Sequence, residues 1–339
     1  MVNIDELEQN FTHQPVLLRE VLEAMAIRLD GDYLDLTVGG AGHSSEIFRK
    51  LGPRGHLCCF DQDREALDVA RKRLEELKRV LHSEASLEFH HANFSELETE
   101  LARQDEARYF DAILADIGVS SYQLDEDSRG FSYQHDGPLD MRMNREQGHS
   151  AAELVNSARE DELAALFKKY GEERYARRIA AAICSRRASR PFDRTTDLAD
   201  CIRSAMPARS RHEKQHPAKR CFQALRIAVN QELDVLETML DSAVKRLKPG
   251  GRLLVITFHS LEDRIVKQCF RDFQQPCHCP PKLPCVCHKQ PLGRVITSKG
   301  LSASPEELAE NPRARSARLR VFERASELTL NPKRGDVHV

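Results

Sequence analysis

The chain has 339 residues, 40% of them hydrophobic, and a formal charge of −2 at pH 7. That length suits one large domain or two smaller ones, and the balanced charge excludes a polycation throughout. Any contact with RNA or DNA must therefore use local patches. No tract is long enough to span a bilayer, and the opening MVNIDELEQNFTHQP is too acidic and polar for a secretory signal or transit peptide. Six of the ten cysteines lie scattered among predicted strands and helices, as expected of reduced thiols in a cytoplasmic protein.

Val16, Leu17, Val21, Leu22 and Met25 stand at helical spacing and predict a helix over 13–28. A strand over 33–38 then runs into Gly39-Gly40-Ala41-Gly42, followed by a helix that ends at Gly52-Pro53. Strand 56–60 closes on Asp61, and a strong helix follows over 64–80. Strand 87–91 ends at Asn93-Phe94, and strand 110–115 ends at Asp116. Apolar strands alternating with amphipathic helices imply a parallel sheet with helices on both faces.

The alternation breaks over 117–149, a polar stretch far longer than a usual connection, carrying Tyr122, Phe131, Tyr133 and Leu139. We read it as an ordered active-site wall. Residues 150–215 read as wholly helical, with an arginine-rich side, and give a domain division of 1–143, 144–216 and 217–339. One long helix is predicted over 218–247, with Gln223, Arg226 and Asn230 on a polar strip facing either a cleft or water. Lys248-Pro249-Gly250-Gly251 reads as a hard turn before a strand over 252–258, and two more strands are expected over 294–297 and 318–322.

The glycine turn between strand and helix is where an open parallel sheet takes a ligand. Asp61, about twenty residues on, can accept both ribose hydroxyls of an adenosine, which serves NAD and S-adenosylmethionine alike. The turn lacks the last glycine of G-x-G-x-x-G, and Asp35 stands four residues before its first glycine, placed to manage an amino-acid moiety. Phe94 offers a face to adenine, with Asp116 beside it as an acceptor. These residues favour a methyltransferase over a dehydrogenase.

Several long motifs resemble one family: HQPVLL at 13–18, DLTVGGAGHS at 35–44, DIGVSSYQLDEDSRGFSYQHDGPLDMRM at 116–143, YGEERYARRIA at 170–180, HPAKRCFQALRIAVNQEL at 216–233, ITFHSLEDRIVK at 256–267 and NPRARSARLRVFER at 311–324. Together they make the chain similar to the bacterial 16S ribosomal RNA cytosine-N4 methyltransferases, over nearly its whole length. The resemblance implies a seven-stranded, mostly parallel class I S-adenosylmethionine-dependent methyltransferase sheet with an inserted all-helical domain. It implies S-adenosylmethionine as cofactor and the 4-amino nitrogen of cytosine 1402, within the small ribosomal subunit, as target. Cofactor contacts carried over by position fall on Gly40, Ala41, Gly42, His43, Asp61, Phe94, Asp116 and Gln123. Ala41 departs from the glycine of many members, and Lys219 and Cys221 stand where threonines are usual. Monomer and homodimer both stay open.

Cytosine's 4-amino group is a poor nucleophile, so an acceptor on its N–H helps the transfer. The D/N-P-P-Y/F motif of many amino-methyltransferases is missing after Asp116, which leaves Asp116 itself, the 117–149 loop or the end of strand five. Asp116, Asp140 and His259 are the catalytic candidates. Asp140 reads equally well as a loop carboxylate paired to Arg142, and Ser260-Leu261-Glu262-Asp263 as a helix cap. Arg174, Arg177, Arg178 and Arg186 are candidates for phosphate contact. Cys277, Cys279, Cys285 and Cys287, with His278 and His288, can make a zinc site or a surface loop of thiols. Their C-x-C pairs are tighter than a C-x-x-C knuckle and the sheet needs no metal, so no metal ligand is assigned. Two other function classes remain: a nicotinamide-dependent oxidoreductase, marked by nicotinamide binding, and a non-catalytic assembly factor, which would transfer no methyl group.

Overall fold

The computed structural model describes residues 15–103, 108–120, 123–124, 126–208, 216–280 and 286–326. The chain divides into two compact units, one made from 1–118 with 235–339 and the other from 119–234. The second takes in residues 144–216 and the segments on either side of them.

The first unit is a seven-stranded sheet: β1 (Asp32–Asp35), β2 (His56–Asp61), β3 (Ser86–His91), β4 (Phe110–Asp116), β5 (Leu247–Thr257), β6 (Gly293–Val295) and β7 (Arg318–Arg324). The order is β3-β2-β1-β4-β5-β7-β6, with β7 antiparallel to both neighbours. This is the class I S-adenosylmethionine-dependent methyltransferase sheet that the motifs imply. Its central strands carry buried apolar runs because both faces are covered. Tyr33, Leu57, Cys59, Leu114 and Leu254 enter one core layer, while Leu34, Cys58, Phe60, Ile113 and Leu253 enter the other. Helices α1 (Leu18–Met25), α2 (Gly42–Phe48), α3 (Arg64–Val80) and α4 (Leu97–Ala102) precede β4. After the second unit come α10 (Glu232–Lys245), α11 (Ser260–Gln274) and α12 (Pro305–Glu310).

The second unit holds α5 (Ala151–Ser157), α6 (Glu160–Gly171), α7 (Ala176–Arg187), α8 (Thr195–Ala205) and α9 (Ala218–Asn230). Its core joins Leu163, Phe167, Ile179, Ile183, Leu198 and Leu225 with loop residues Phe131, Leu139, Met141 and Met143. The described part of the long loop is thus ordered by burying its apolar side chains in this core; Tyr122 lies outside the described residues. Arg129, 1% exposed, donates to the carbonyls of Arg142 and Met143, and Asn230 brackets the same strip by donating to Met141 O and accepting from Met143 N. Arg129→Ala removes two charge-assisted bonds from buried carbonyls and is expected to cost about 2–4 kcal/mol of stability, read as a lower denaturation midpoint. An unchanged midpoint would remove Arg129 from the loop's support.

Several predicted bounds change, and 150–215 is not wholly helical, since α7 ends at Arg187 and α8 starts at Thr195. The first helix starts only at Leu18, because Leu17 is left-handed, while positions 13 and 14 lie outside the described residues. Strand one stops at Asp35 and then splays: Leu36 N bonds to Leu114 O at 2.9 Å, while Val38 N bonds to Phe60 O at 2.9 Å. The single helix over 218–247 is two, broken at Gln231 in the left-handed conformation, with Arg226 clasping Glu232 through two 2.8 Å bonds. Strand five begins at Leu247, which pairs Phe110; residues 248–251 then bulge out before Arg252 pairs Ala112. No helix among the described residues is long and apolar enough to cross a membrane.

Candidate active site

The carboxyl ends of β1, β2 and β4 each carry an aspartate, so the parallel sheet gathers Asp35, Asp61 and Asp116 along one edge. Asp35 is 1% exposed and lies beneath the glycine turn, accepting from Thr37 N at 3.1 Å and Ser44 Oγ at 2.6 Å. It ties the turn to the first residues of α2 rather than presenting itself to a ligand. Burial raises its pKa to about 6.

In the turn, Ala41 adopts φ 61° and its methyl packs into the core. Gly42 has no alternative, since a Cβ there would meet Pro15 Cγ at 2.7 Å. A Cβ on Gly40 would meet nothing within 4 Å, so the rim of the turn is open, and Arg73 holds the Gly40 carbonyl at 2.8 Å. Asp61 braces the turn from β2: Oδ2 accepts from Gly39 N at 2.8 Å and Oδ1 from Asp63 N at 2.9 Å. Each oxygen keeps a second lone pair, enough for two hydroxyl donors. Burial pushes Asp61 up to about 7. Asp63 caps α3, and Asn93 joins Gln62 at 2.7 Å and caps the short 3-10 turn that begins with half-buried Phe94.

His43 is buried in the first turn of α2. Its Nε2 lies 2.9 Å from Val16 O, and a carbonyl only accepts, so Nε2 carries the proton. Burial lowers its pKa to about 4, which leaves a neutral ring whose Nδ1 lone pair lies 3.5 Å from Asp116 Oδ2. Asp116 is pinned by its backbone N–H, which donates to Thr37 Oγ1 at 2.7 Å. Its Oδ1 is buried without a hydrogen-bond partner. Burial first, then the charges of Asp35 and Glu262, push its pKa up to about 8.

The remaining expected residues are engaged in other ways. His259 is the N-cap of α11: Nδ1 accepts from Glu262 N at 3.4 Å and Nε2 lies 2.8 Å from Glu262 Oε1. The expected Ser260/Asp263 cap is therefore shifted by one residue, because the Glu262 carboxylate reaches back to the N–H groups of Phe258 and His259. Asp263 instead holds Arg320 through bonds of 2.7 and 2.9 Å. In the helical unit, Asp140 is gripped by Arg142 through bonds of 2.7 and 3.0 Å, which keep its carboxyl below the usual range despite burial. Gln123 is buried there too, its Oε1 accepting from Ser120 N. Arg174, Arg177 and Arg178 are exposed, with Arg174 lying over the Tyr175 ring. Arg186 is half-buried over Phe192, bonded to Arg190 O and 3.4 Å from Asp197. Thr37, Arg73 and Glu262 shape the site although none is among the expected site residues; Thr37 and Glu262 lie inside the motifs at 35–44 and 256–267, Arg73 in none.

The residues fit an S-adenosyl group. Three aspartates end neighbouring strands, Asp61 and Asp116 toward the ligand side and Asp116 with an orphaned buried oxygen, and burial is the largest cause raising all three pKa values. Such an edge favours a ligand with cationic centres and disfavours the pyrophosphate of a dinucleotide. A model of the MraW methylase family matches residues 10–325. Over 312 residues the chain is 48% identical to "Ribosomal RNA small subunit methyltransferase H" of Clostridium botulinum, covering 92% of this chain and 98% of the relative. The protein of the same name from Symbiobacterium thermophilum is 51% identical over 312 residues, 91% of this chain and 96% of its own. That of Heliobacterium modesticaldum is 50% identical over 315 residues, 93% and 99% of the two chains. With the sheet, the acidic edge and this full-length likeness in agreement, the chain belongs to the MraW methylase family and is an S-adenosylmethionine-dependent methyltransferase.

Proposed function

We propose that the enzyme methylates the 4-amino nitrogen of cytosine 1402 of 16S ribosomal RNA, in the cytoplasm, on the small ribosomal subunit. The names of the relatives support the subunit, and the motif resemblance supports the nucleotide. The observation that carries the chemistry is the orphaned Oδ1 of Asp116 at the end of β4.

S-adenosylmethionine, when bound, supplies an electrophilic methyl group on a sulfonium that leaves as a neutral thioether. The open rim at Gly40, with Ala41, Gly42 and His43, takes one side of this cofactor; Asp61 accepts its ribose hydroxyls, and Phe94 offers a face to the adenine, while Gln123 is a contact on the resemblance alone. Asp116 Oδ1 accepts the cytosine N4–H, drawing electron density onto nitrogen, and takes the proton as the N–C bond forms. A carboxyl with a pKa near 8 is matched to this task at neutral pH. His43 stands behind it with Nδ1 as the acceptor for the protonated carboxyl. Asp140 and His259, engaged by Arg142 and Glu262, act by positioning the loop and the start of α11.

Arg174, Arg177 and Arg178 contact RNA phosphates, and Arg186 holds the surface that presents them. Arg177→Gln/Arg178→Gln is expected to weaken subunit binding and to flatten the log Kd against log salt slope by about 1–2. Coincident slopes for variant and wild type would remove these arginines from the interface.

The decisive experiment incubates the protein with unmodified 30S particles and methyl-labelled S-adenosylmethionine, then maps the modified nucleotide. Label on the 4-amino nitrogen of cytosine 1402 is the expected result. Label elsewhere overturns the target, and binding without transfer marks an assembly factor.

A further inference from the structure

The segment between α11 and β6 lies apart from the methyl-transfer chemistry. Its base is closed by Leu292 N bonding to Phe273 O at 2.8 Å and Val295 N to Gln274 Oε1 at 2.7 Å. None of its described residues, 275–280 and 286–292, is buried, and Val286 is 78% exposed. A loop without apolar packing has no core to gather its side chains. Yet the sulfurs of Cys277, Cys279 and Cys287 all lie within 4.8 Å of one another. No described cysteine is in a disulfide.

We propose that Cys277, Cys279 and Cys287 are ligands of a structural zinc ion that fastens this loop. A tetrahedral zinc with bonds of about 2.3 Å sets its sulfurs about 3.8 Å apart, so the thiols need to close by about 1 Å or less. Three thiolates select zinc over magnesium or calcium, which prefer oxygen. Backbone N–H groups of Val286 and Cys287 donate to the Cys279 sulfur, the outer hydrogen bonds that orient a thiolate ligand. Binding releases the thiol protons to solvent. Cys285 lies outside the described residues.

The metal's role is structural. The loop follows the carboxyl end of α11, whereas His259 caps the amino end, and 15 helical residues rise about 22 Å. The ion therefore holds a loop and takes no part in the methyl transfer.

The test uses the full chain, purified without a histidine tag under reducing conditions. Elemental analysis is expected to find about one zinc per chain, and Cys279→Ser/Cys287→Ser to lower that at least tenfold, with Cys201→Ser unchanged. Cobalt exchanged into the site is expected to give thiolate charge-transfer and tetrahedral ligand-field absorption. Cys279→His, which keeps a ligand, is expected to retain the metal with a weaker charge-transfer band, so misfolding of the double variant does not decide the question. Protein that takes up no zinc on purification or reconstitution overturns the proposal. So does a double variant that holds as much zinc as the wild type.

Discussion

Asp116→Ala is expected to slow methyl transfer to unmodified small subunits by about 10²–10⁴-fold, the usual worth of a positioned proton acceptor. Asp116→Asn is the sharper variant. Its Oδ1 still accepts the N4–H and its amide N–H still donates to His43 Nδ1, so the neutral form of the site is imitated closely. What it cannot do is take a proton. If proton removal is the task of Asp116, the asparagine variant falls to within about tenfold of the alanine one. Retention of wild-type rate by Asp116→Asn would reduce the residue to a hydrogen-bond acceptor and send the search for the base elsewhere. His43→Gln supplies an independent readout. The His43 lone pair favours the protonated carboxyl, so its loss is expected to lower the Asp116 pKa and move the rising limb of the pH–rate profile about one unit toward acid. An unmoved limb would make His43 only a wall of the turn.

How far the sequence speaks depends on which physical constraint writes each feature. Both faces of the sheet are covered, so every central strand needs a continuous apolar run, and the acid after the run marks its end. That is why Asp61 and Asp116 were legible. Side-chain direction in a tight turn has no such mark, and Asp35 goes under the turn because Ser44 and Thr37 lie there to receive it. The break at Gln231 was hidden because no glycine signals it, while the apolar stripe of Phe222, Leu225, Leu236 and Leu240 continues across. The α11 cap, expected at Ser260 with Asp263, falls one residue earlier, at His259 with Glu262. The longer Glu262 side chain, turned inward and 2% exposed, moves it there by reaching back to the Phe258 and His259 N–H groups. Arg129 and Asn230 brace a loop through its own carbonyls and amides, contacts between positions about a hundred residues apart or fewer that leave no periodicity to read.

Cofactor affinity is expected to rise steeply with pH, and the sign follows from the buried carboxyls. Burial raises Asp35, Asp61 and Asp116 to about 6, 7 and 8, so at neutral pH the unliganded protein keeps protons that the unfolded chain has released near pH 4. Their contribution to stability is therefore complete at low pH and is lost as pH climbs through these values. His43, lowered to about 4, acts oppositely, costing stability below its unfolded pKa of about 6.5, but a single group does not outweigh three. A ligand carrying ammonium and sulfonium charges prefers the ionised carboxylates, so its binding must expel protons. With Asp61 and Asp116 both required as carboxylates, affinity is expected to fall about 10²–10³-fold from pH 8.5 to 6. Calorimetry in buffers of different ionisation enthalpy reads the proton release directly, and Asp116→Asn should remove one proton from the count. A pH-independent Kd with no proton release would mean that the three aspartates are already ionised in the free enzyme.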